Sequence, residues 1–220
     1  MTIDSHDLLN SILKSLDRIE HIKPTDLPNI ELYMDQVTTF MDERLKNTTR
    51  NPGGDKILTK TMINNYAKNN LLPSPNKKKY SKEHMLMLIF IYYFKGVMSI
   101  GDIQTLLTPL TEKYFGEDKD FKLEDIYNEV FSMEKGEVDN LKKDVVRKFR
   151  VAEKTFQECP DSEKEFLQMF SFICQLCFDI YIKKLLVEKM IDSMNQLVLE
   201  PEKKPTKSKV KDNAKSKDAS

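Results

Sequence analysis

Residues 56–84 read KILTKTMINNYAKNNLLPSPNKKKYSKEH and carry the strongest structural signals in the chain. Thr59 is a good N-cap residue, and apolar side chains follow it at helical spacing, which predicts a short helix over residues 60–69. Asn69 and Asn70 can take the left-handed conformation that ends a helix. The inward face of this helix is expected to consist of Met62, Ile63 and Tyr66.

An extended basic strip follows the short helix. Pro73 and Pro75 restrict the backbone of this strip, which continues to Tyr80. Ser81 is a suitable cap for the next helix, and its segment Met85 to Phe94 is apolar on all sides if tyrosine is counted as apolar. A helix of that kind is expected to lie in the centre of a core.

Helical patterns continue on both sides of this region. Upstream, residues 3–22 and 31–45 have apolar residues at helical spacing, and residues 47–55, between the second of these segments and residue 56, have the composition of a loop. Downstream, Ser99 and Asp102 resemble a capping box that opens a helix ending near Leu107.

The C-terminal part predicts long helices. One helical stretch runs over residues 122–157, with Gly136 as a candidate break point. Pro160 ends it, and Asp161 caps a last helix that reaches about Leu199. Apolar residues in the first stretch have the spacing of a helix–helix seam. These residues are Val138, Leu141, Val145, Phe149, Ala152 and Phe156.

The predicted fold class is therefore all-α, and the chain divides into four parts. Residues 1–28 form an N-terminal helix, and residues 29–115 form a compact domain. Residues 116–200 form a helical region for dimerisation or effector binding, and residues 201–220 form a Lys-rich tail that we expect to be disordered.

Composition excludes several classes of protein. The 220 residues contain 35 basic and 35 acidic side chains, so no global charge attracts the chain to a polyanion. The N-terminus lacks a signal-peptide pattern, and the uncharged run Phe166 to Phe178 is shorter than the roughly 20 residues of a membrane span. Three cysteines on helical segments suit a reducing compartment. We expect a cytoplasmic protein without membrane contact.

Positive charge is nevertheless concentrated in residues 56–84. Seven lysines stand there against Glu83 alone, whereas residues 112–139 hold ten carboxylates against four lysines. Asn64 and Asn65 are residue types that can bond to base edges, and lysines neutralise phosphates. Lysine runs usually coat solvated faces, but a capped polar helix, an extended basic strip and a buried helix follow one another here. That order is typical of a winged helix-turn-helix.

Four segments carry a resemblance to a known family: Leu58 to Tyr66, Leu71 to Pro73, Lys78 to Ser81 and Val97 to Ile103. Together they resemble an uncharacterised bacterial domain of unknown function that is similar to the MerR-type regulators. The resemblance implies a MerR-like winged helix-turn-helix domain over residues 29–115, followed by long C-terminal helices. It departs from the MerR pattern at Asn64, where that pattern has an arginine.

The resemblance implies that the protein is a transcriptional regulator that binds double-stranded DNA. Helix 60–69 would enter the major groove, the wing at residues 73–80 would contact the backbone, and the C-terminal helices would join two subunits. The candidate DNA-binding residues are Thr59, Lys60, Thr61, Asn64, Asn65, Tyr66, Lys68, Lys77, Lys78, Lys79 and Tyr80.

Other functions have weaker support in the sequence. Cys174 and Cys177 lack the further ligands of a zinc site and are interpreted as core residues, and no nucleophile–base pair or carboxylate dyad is recognisable. We therefore expect no enzyme, no metal and no cofactor. His84 is either a phosphate contact or a partly buried residue. A helical protein-interaction module that docks an acidic partner, and a sensor of a small-molecule effector, remain alternatives.

Overall fold

The computed structural model describes residues 5–16, 21–51, 54, 56–116 and 120–199, with the backbone alone at residues 134, 135 and 195–199. It is mostly helical, with two short strands among these residues. The helices are α1 Ser5–Leu16, α2 Met34–Leu45, α3 Lys60–Lys68, α4 Lys82–Phe94, α5 Ile100–Tyr114, α6 Leu123–Ser132, α7 Glu134–Ala152 and α8 Asp161–Leu199. Short 3₁₀ turns span Pro24–Asp26 and Lys46–Thr48, and the strands are β1 Leu32–Tyr33 and β2 Lys79–Tyr80.

Helix α4 lies in the centre of the main core, as its sequence predicts. Residues 84–91 are buried without interruption, because helices and loops cover α4 on all sides. Met41 of α2, Ile63 of α3 and Ile103 of α5 are each fully buried around it. The short helix and its neighbours are thus arranged around a single apolar helix.

Two strands connect the segment before α2 with the segment after α3. Leu32 pairs with Tyr80 and Tyr33 with Lys79 in an antiparallel ladder. The expected helix over residues 31–45 therefore begins later, at Met34. Its first turn is closed by Gln36, whose side-chain oxygen accepts a hydrogen bond from the backbone N–H of Tyr33 at 2.9 Å.

Two of the caps expected from the sequence, at Thr59 and Ser99, are present, whereas Ser81 accepts no cap hydrogen bond and Asp161 is itself the first residue of α8. The hydroxyl oxygen of Thr59 accepts a hydrogen bond from the backbone N–H of Met62 at 3.1 Å, and Asn70 has a φ of 56° just after the end of α3. Ser99 and Asp102 form a capping box at the start of α5. Helix α5 passes the predicted end near Leu107 and continues to Tyr114.

The loop between α2 and α3 is held at its far end. The carboxylate of Asp42 accepts a hydrogen bond from the backbone N–H of Ile57 at 3.2 Å, and the ammonium of Lys95 donates one to the carbonyl of Ile57 at 2.7 Å. Burial lowers the pKa of Lys95. Ile57 and Leu58 are both buried, so the start of α3 is fixed against α2 and α4.

The C-terminal helices differ in part from their prediction. The expected helix over residues 122–157 is two helices, which meet at Met133, and the second ends at Ala152. Helix α6 packs on α4, because Leu123 and Tyr127 belong to the main core. Helices α7 and α8 pack side by side, as the seam spacing in α7 indicates, and the last described part of α8 reaches α5 and the main core through Ile191.

A second, smaller apolar cluster joins α1 to the α7–α8 pair. Its buried members are Leu9, Phe149, Ala152 and Phe172. Beside it, the ammonium of Lys148 on α7 binds the carboxylates of Asp144 and Asp179, and the second of these lies on α8. This buried cation determines which side of α8 faces α7.

Cys174 and Cys177 were expected in the core, but Cys177 is exposed and Cys174 is half-buried, because α8 is covered on one side only in this part. Cys159 was expected on a helical segment but lies in the bend before α8, where it is half-buried. The predicted disorder of residues 201–220 concerns residues that lie outside the described part of the chain. Among the described helices, none has the length and apolar character needed to cross a bilayer.

Candidate nucleic-acid interface

One side of α3 is polar and points to solvent. Lys60, Thr61, Asn64, Asn65 and Lys68 are all exposed, and their spacing of i, i+1, i+4, i+5 and i+8 puts them on one face of the helix. Ile63 and Tyr66 lie on the opposite face and are buried. Five of the candidate side chains therefore form one continuous surface, next to the capping residue Thr59, which is half-buried.

The basic strip ends in a tight turn just before β2. The backbone N–H of Lys79 donates a hydrogen bond to the carbonyl of Asn76 at 2.9 Å, which closes a four-residue turn. Lys77 and Lys78 occupy its two central positions with φ values of 48° and 66°. Two consecutive positive φ values indicate a type I′ turn, the type that joins paired strands. Both lysines are exposed at the tip.

A short series of contacts connects the start of α3 with this turn. The ammonium of Lys60 lies 3.7 Å from a carboxylate oxygen of Asp35, in the first turn of α2. Two residues before Asp35, the ring of Tyr33 has its centroid 5.6 Å from the ammonium of Lys79. The polar face of α3 and the base of the turn are thus neighbours across β1.

Two of the candidate residues are not on this surface. Tyr66 and Tyr80 are only 7 % and 3 % exposed and belong to the main core, and burial raises the pKa of both hydroxyls. Tyr66 follows Ile63 at helical spacing and so shares its inward face, and Tyr80 lies on the inner side of β2. Both therefore support the surface from below and do not reach it.

The exposed aromatic residue on this surface is Tyr33. Its side chain is 51 % exposed beside Lys79. Sequence reasoning missed it because residues 31–45 were assigned to one helix. The alternation of buried Leu32 and exposed Tyr33 was the available signal, but two residues are too few to indicate a strand.

His84 is not a phosphate contact in this structure. Its ring is buried between the rings of Tyr80 and Phe115, and Nδ1 accepts a hydrogen bond from the backbone N–H of Ser81 at 3.0 Å. Burial lowers the pKa of His84 below its ordinary value, because a charged imidazolium would lose its hydration there. The residue closes the first turn of α4.

No arrangement suited to a metal ion is found in the part of the chain that the structure describes: no three His, Cys, Asp or Glu side chains converge on one point there. Beside the carboxylate of Asp35 and the ring of Tyr33, the candidate surface presents amide, hydroxyl and ammonium groups. These groups donate hydrogen bonds to anions and to base edges, and the lysines give the surface a positive charge.

The architecture defines a small helical domain with a two-stranded sheet and an exposed basic face. Residues 22–130 of the chain match a family model described as a domain of unknown function, DUF1836. The protein thus contains a DUF1836 domain, which begins before α2 and includes most of α6. No curated protein and no solved structure shows significant similarity to the chain.

Proposed function

We propose that this protein is a transcriptional regulator that binds double-stranded DNA through α3 and the turn before β2. Helix α3 enters the major groove, and the turn contacts the phosphate backbone beside it. The proposal rests mainly on one observation: the polar side chains of α3 share one exposed face, close to a projecting basic turn. We place this activity in the cytoplasm.

The chemistry of α3 supports base contacts. Thr61, Asn64 and Asn65 are exposed on the same side of the helix. An asparagine amide can donate to N7 and accept from N6 of adenine at the same time, and a threonine can contact several bases. Lys60 and Lys68 lie at the two ends of this group, where they are suited to the phosphates on either side of a groove.

Charge supports a polyanionic ligand. Lys60, Lys68, Lys77, Lys78 and Lys79 contribute five positive charges on α3 and the turn, and Asp35 is a carboxylate in contact with this group. A positive patch on a chain of zero net charge attracts phosphates locally, and the attraction falls with salt because bound counterions are released.

The order of elements supports a winged helix-turn-helix domain, which we propose to be of MerR-like type. Helix α2 precedes α3 and packs on it, and β1 and β2 form the base of a wing whose tip is the turn at residues 76–79. The loop between α2 and α3 is long for such a motif, but its end is fastened to Asp42 and Lys95. On this proposal, two subunits join through the C-terminal helices, so that two copies of α3 face one duplex.

A binding experiment tests the proposal. Duplexes selected from genomic fragments are titrated with the purified protein at several salt concentrations. A Lys77→Ala/Lys78→Ala/Lys79→Ala variant should bind more weakly than the wild type, and the slope of log affinity against log salt should fall by about 2 to 3. The matched control replaces three exposed lysines elsewhere, Lys113, Lys143 and Lys154, and should leave the affinity nearly unchanged.

The alternative of a protein-interaction module predicts a different result. Gel filtration with and without DNA separates the two functions. A protein that shifts no duplex, but forms a stable complex with an acidic protein through the same lysines, excludes the DNA-binding proposal.

A further inference from the structure

A large part of α8 is apolar and uncovered. Between residues 166 and 186 this helix exposes aromatic and aliphatic side chains on more than one side. The most exposed of them are Phe166 at 71 %, Phe178 at 66 %, Ile180 at 65 %, Tyr181 at 64 % and Ile182 at 61 %. A helix that is apolar nearly all round requires a partner on its open side.

The contact with α7 determines which side is open. Asp179 points towards α7, where it binds Lys148. With 3.6 residues per turn, positions 170, 177 and 181 lie about 160° to 200° around the helix from Asp179. The outer side of α8 is thus a stripe with spacings of 3 or 4 residues. We name it the outer stripe: Glu163, Phe166, Phe170, Ile173, Cys177, Tyr181 and Lys184.

The outer stripe is self-complementary when it is reversed. It has an acid at its start, a base at its end and uncharged residues between them. In an antiparallel pair of α8 helices that places Glu163 against Lys184, Phe166 meets Tyr181 and Phe170 meets Cys177. The two-fold axis then passes between Ile173 and Cys174. A parallel pair would instead place Glu163 against Glu163 and Lys184 against Lys184, which is unfavourable.

From this pattern we infer that the outer stripe of α8 binds a second copy of this chain, antiparallel and centred at Ile173 and Cys174. The inference deepens the proposed function by naming the surface between its two subunits. It rests on that proposal only for the expectation that the chain forms a dimer. An isologous interface needs a surface that complements itself under two-fold rotation, and the order of charges in the outer stripe meets this condition.

The size of the surface fits a dimer. A large aromatic side chain buries roughly 150–250 Å² when it is fully covered. At their exposed fractions, Phe166, Phe170 and Tyr181 of the outer stripe present on the order of 400 Å² per copy. Phe178, Ile180 and Ile182, which lie to the sides of the stripe, bring the exposed apolar surface towards the roughly 800 Å² that one partner contributes to an interface of standard size. The spacing of 4, 3 and 4 residues from Phe166 to Cys177 is also the spacing with which two helices interlock.

The first test measures the oligomeric state of the full chain, without DNA, by gel filtration with light scattering. The wild type is expected to be a dimer at micromolar concentration. Phe170→Glu should give a monomer, because two charges would be buried near the axis. Phe121→Glu is the matched control: Phe121 is 53 % exposed and Phe170 is 54 % exposed, but Phe121 lies on the connection before α6.

The second test fixes the direction of the pair. Glu163→Lys and Lys184→Glu should each weaken the dimer by roughly 3- to 10-fold, because each places like charges together at both ends. The double variant should regain most of the wild-type affinity. Lys184 also lies 3.8 Å from Glu188 of its own helix, which adds a smaller effect to the single variants.

Three results would overturn the inference. The first is a monomeric wild type, whether or not this monomer associates with phosphatidylglycerol vesicles. The second is a Phe170→Glu variant that remains a dimer. The third is a Glu163→Lys/Lys184→Glu double variant that dimerises no better than either single variant. A dimer that behaves as expected but shifts no duplex leaves this inference in place and removes the DNA-binding proposal instead.

Discussion

The hydroxyl of Tyr127 donates a hydrogen bond of 2.7 Å to the backbone carbonyl of Ile22, 105 residues earlier in the chain. Both residues are buried, and they lie close to the two ends of the DUF1836 match at residues 22–130. The ring of Tyr127 also contacts Phe90 of α4. One side chain thus connects the beginning of the domain, its central helix and its end.

Loss of this hydrogen bond should be costly. Tyr127→Phe leaves the carbonyl of Ile22 buried without its partner, so we expect the free energy of unfolding to fall by about 1 to 3 kcal/mol. Urea denaturation followed by circular dichroism measures the change. Tyr33→Phe removes a hydroxyl from a side chain that is 51 % exposed and should change the free energy of unfolding by less than about 0.5 kcal/mol.

Removal of the amides of α3 should reduce sequence discrimination. In Asn64→Ala/Asn65→Ala, base contacts are lost while the lysines remain. We expect the ratio of specific to non-specific affinity to fall by about 10-fold or more, with the salt dependence unchanged. Alanine favours helices more than asparagine does, so stability should not decrease. Equal losses of affinity on all duplexes would contradict the role of these amides.

The turn at residues 76–79 allows stability and binding to be separated. Lys77 and Lys78 both have positive φ values, which favour Asn-Gly over Lys-Lys. We expect Lys77→Asn/Lys78→Gly to raise the free energy of unfolding by about 1 kcal/mol and to weaken DNA binding. Lys143→Gly is the control for the introduced glycine: inside the helix α7 it should instead lower the free energy of unfolding by about 1 kcal/mol. A variant that binds DNA like the wild type would count against the wing.

Asp35 should oppose DNA binding. Its carboxylate accompanies Lys60 at 3.7 Å, and both side chains are largely exposed, so the pair contributes little to stability. Asp35→Asn removes one negative charge from the basic face. We expect binding to become about 2- to 5-fold tighter at low salt, and the gain to shrink as salt is added. The control is Asp139→Asn, at an exposed position of α7, which should have no such effect. If Asp35→Asn binds DNA with unchanged affinity, this result would argue against α3 as the DNA contact.

His84 should make the stability depend on pH. Burial lowers its pKa in the folded chain, although the carbonyls of Pro73 and Ser74 and the carboxylates of Glu83 and Glu31 favour the charged form. The folded state therefore binds fewer protons than the unfolded state, and stability is lost as the pH falls below about 6.5, the ordinary histidine pKa.

The measurement is urea denaturation between pH 7.5 and pH 5. His84→Gln removes the titrating group, and its side-chain oxygen can still accept the hydrogen bond from Ser81. The loss of stability on acidification should therefore be smaller in this variant than in the wild type. If the free energy of unfolding falls equally with pH in the wild type and in His84→Gln, His84 is not the source of the pH dependence.

Features that depend on neighbours in the sequence were predicted well. The caps at Thr59 and Ser99 and the left-handed Asn70 just after α3 are confirmed, because each is decided by hydrogen bonds or backbone angles within a few residues. The burial of α4 is confirmed for a related reason: a helix without a polar face has no side to turn to water.

Features that depend on distant residues were missed. Strand β1 exists because Leu32 and Tyr33 pair with residues almost fifty positions later, and such pairing leaves no local periodicity. The exposed face of α8 is decided in the same way, since Lys148 of α7 binds Asp179 of α8 and so fixes which side of α8 faces α7. The sequence by itself determined where most of the helices lie, which helix is central and where the polar amides lie. Only the tertiary structure decided which aromatic residues are covered and which apolar surface remains open, because these depend on what packs against them.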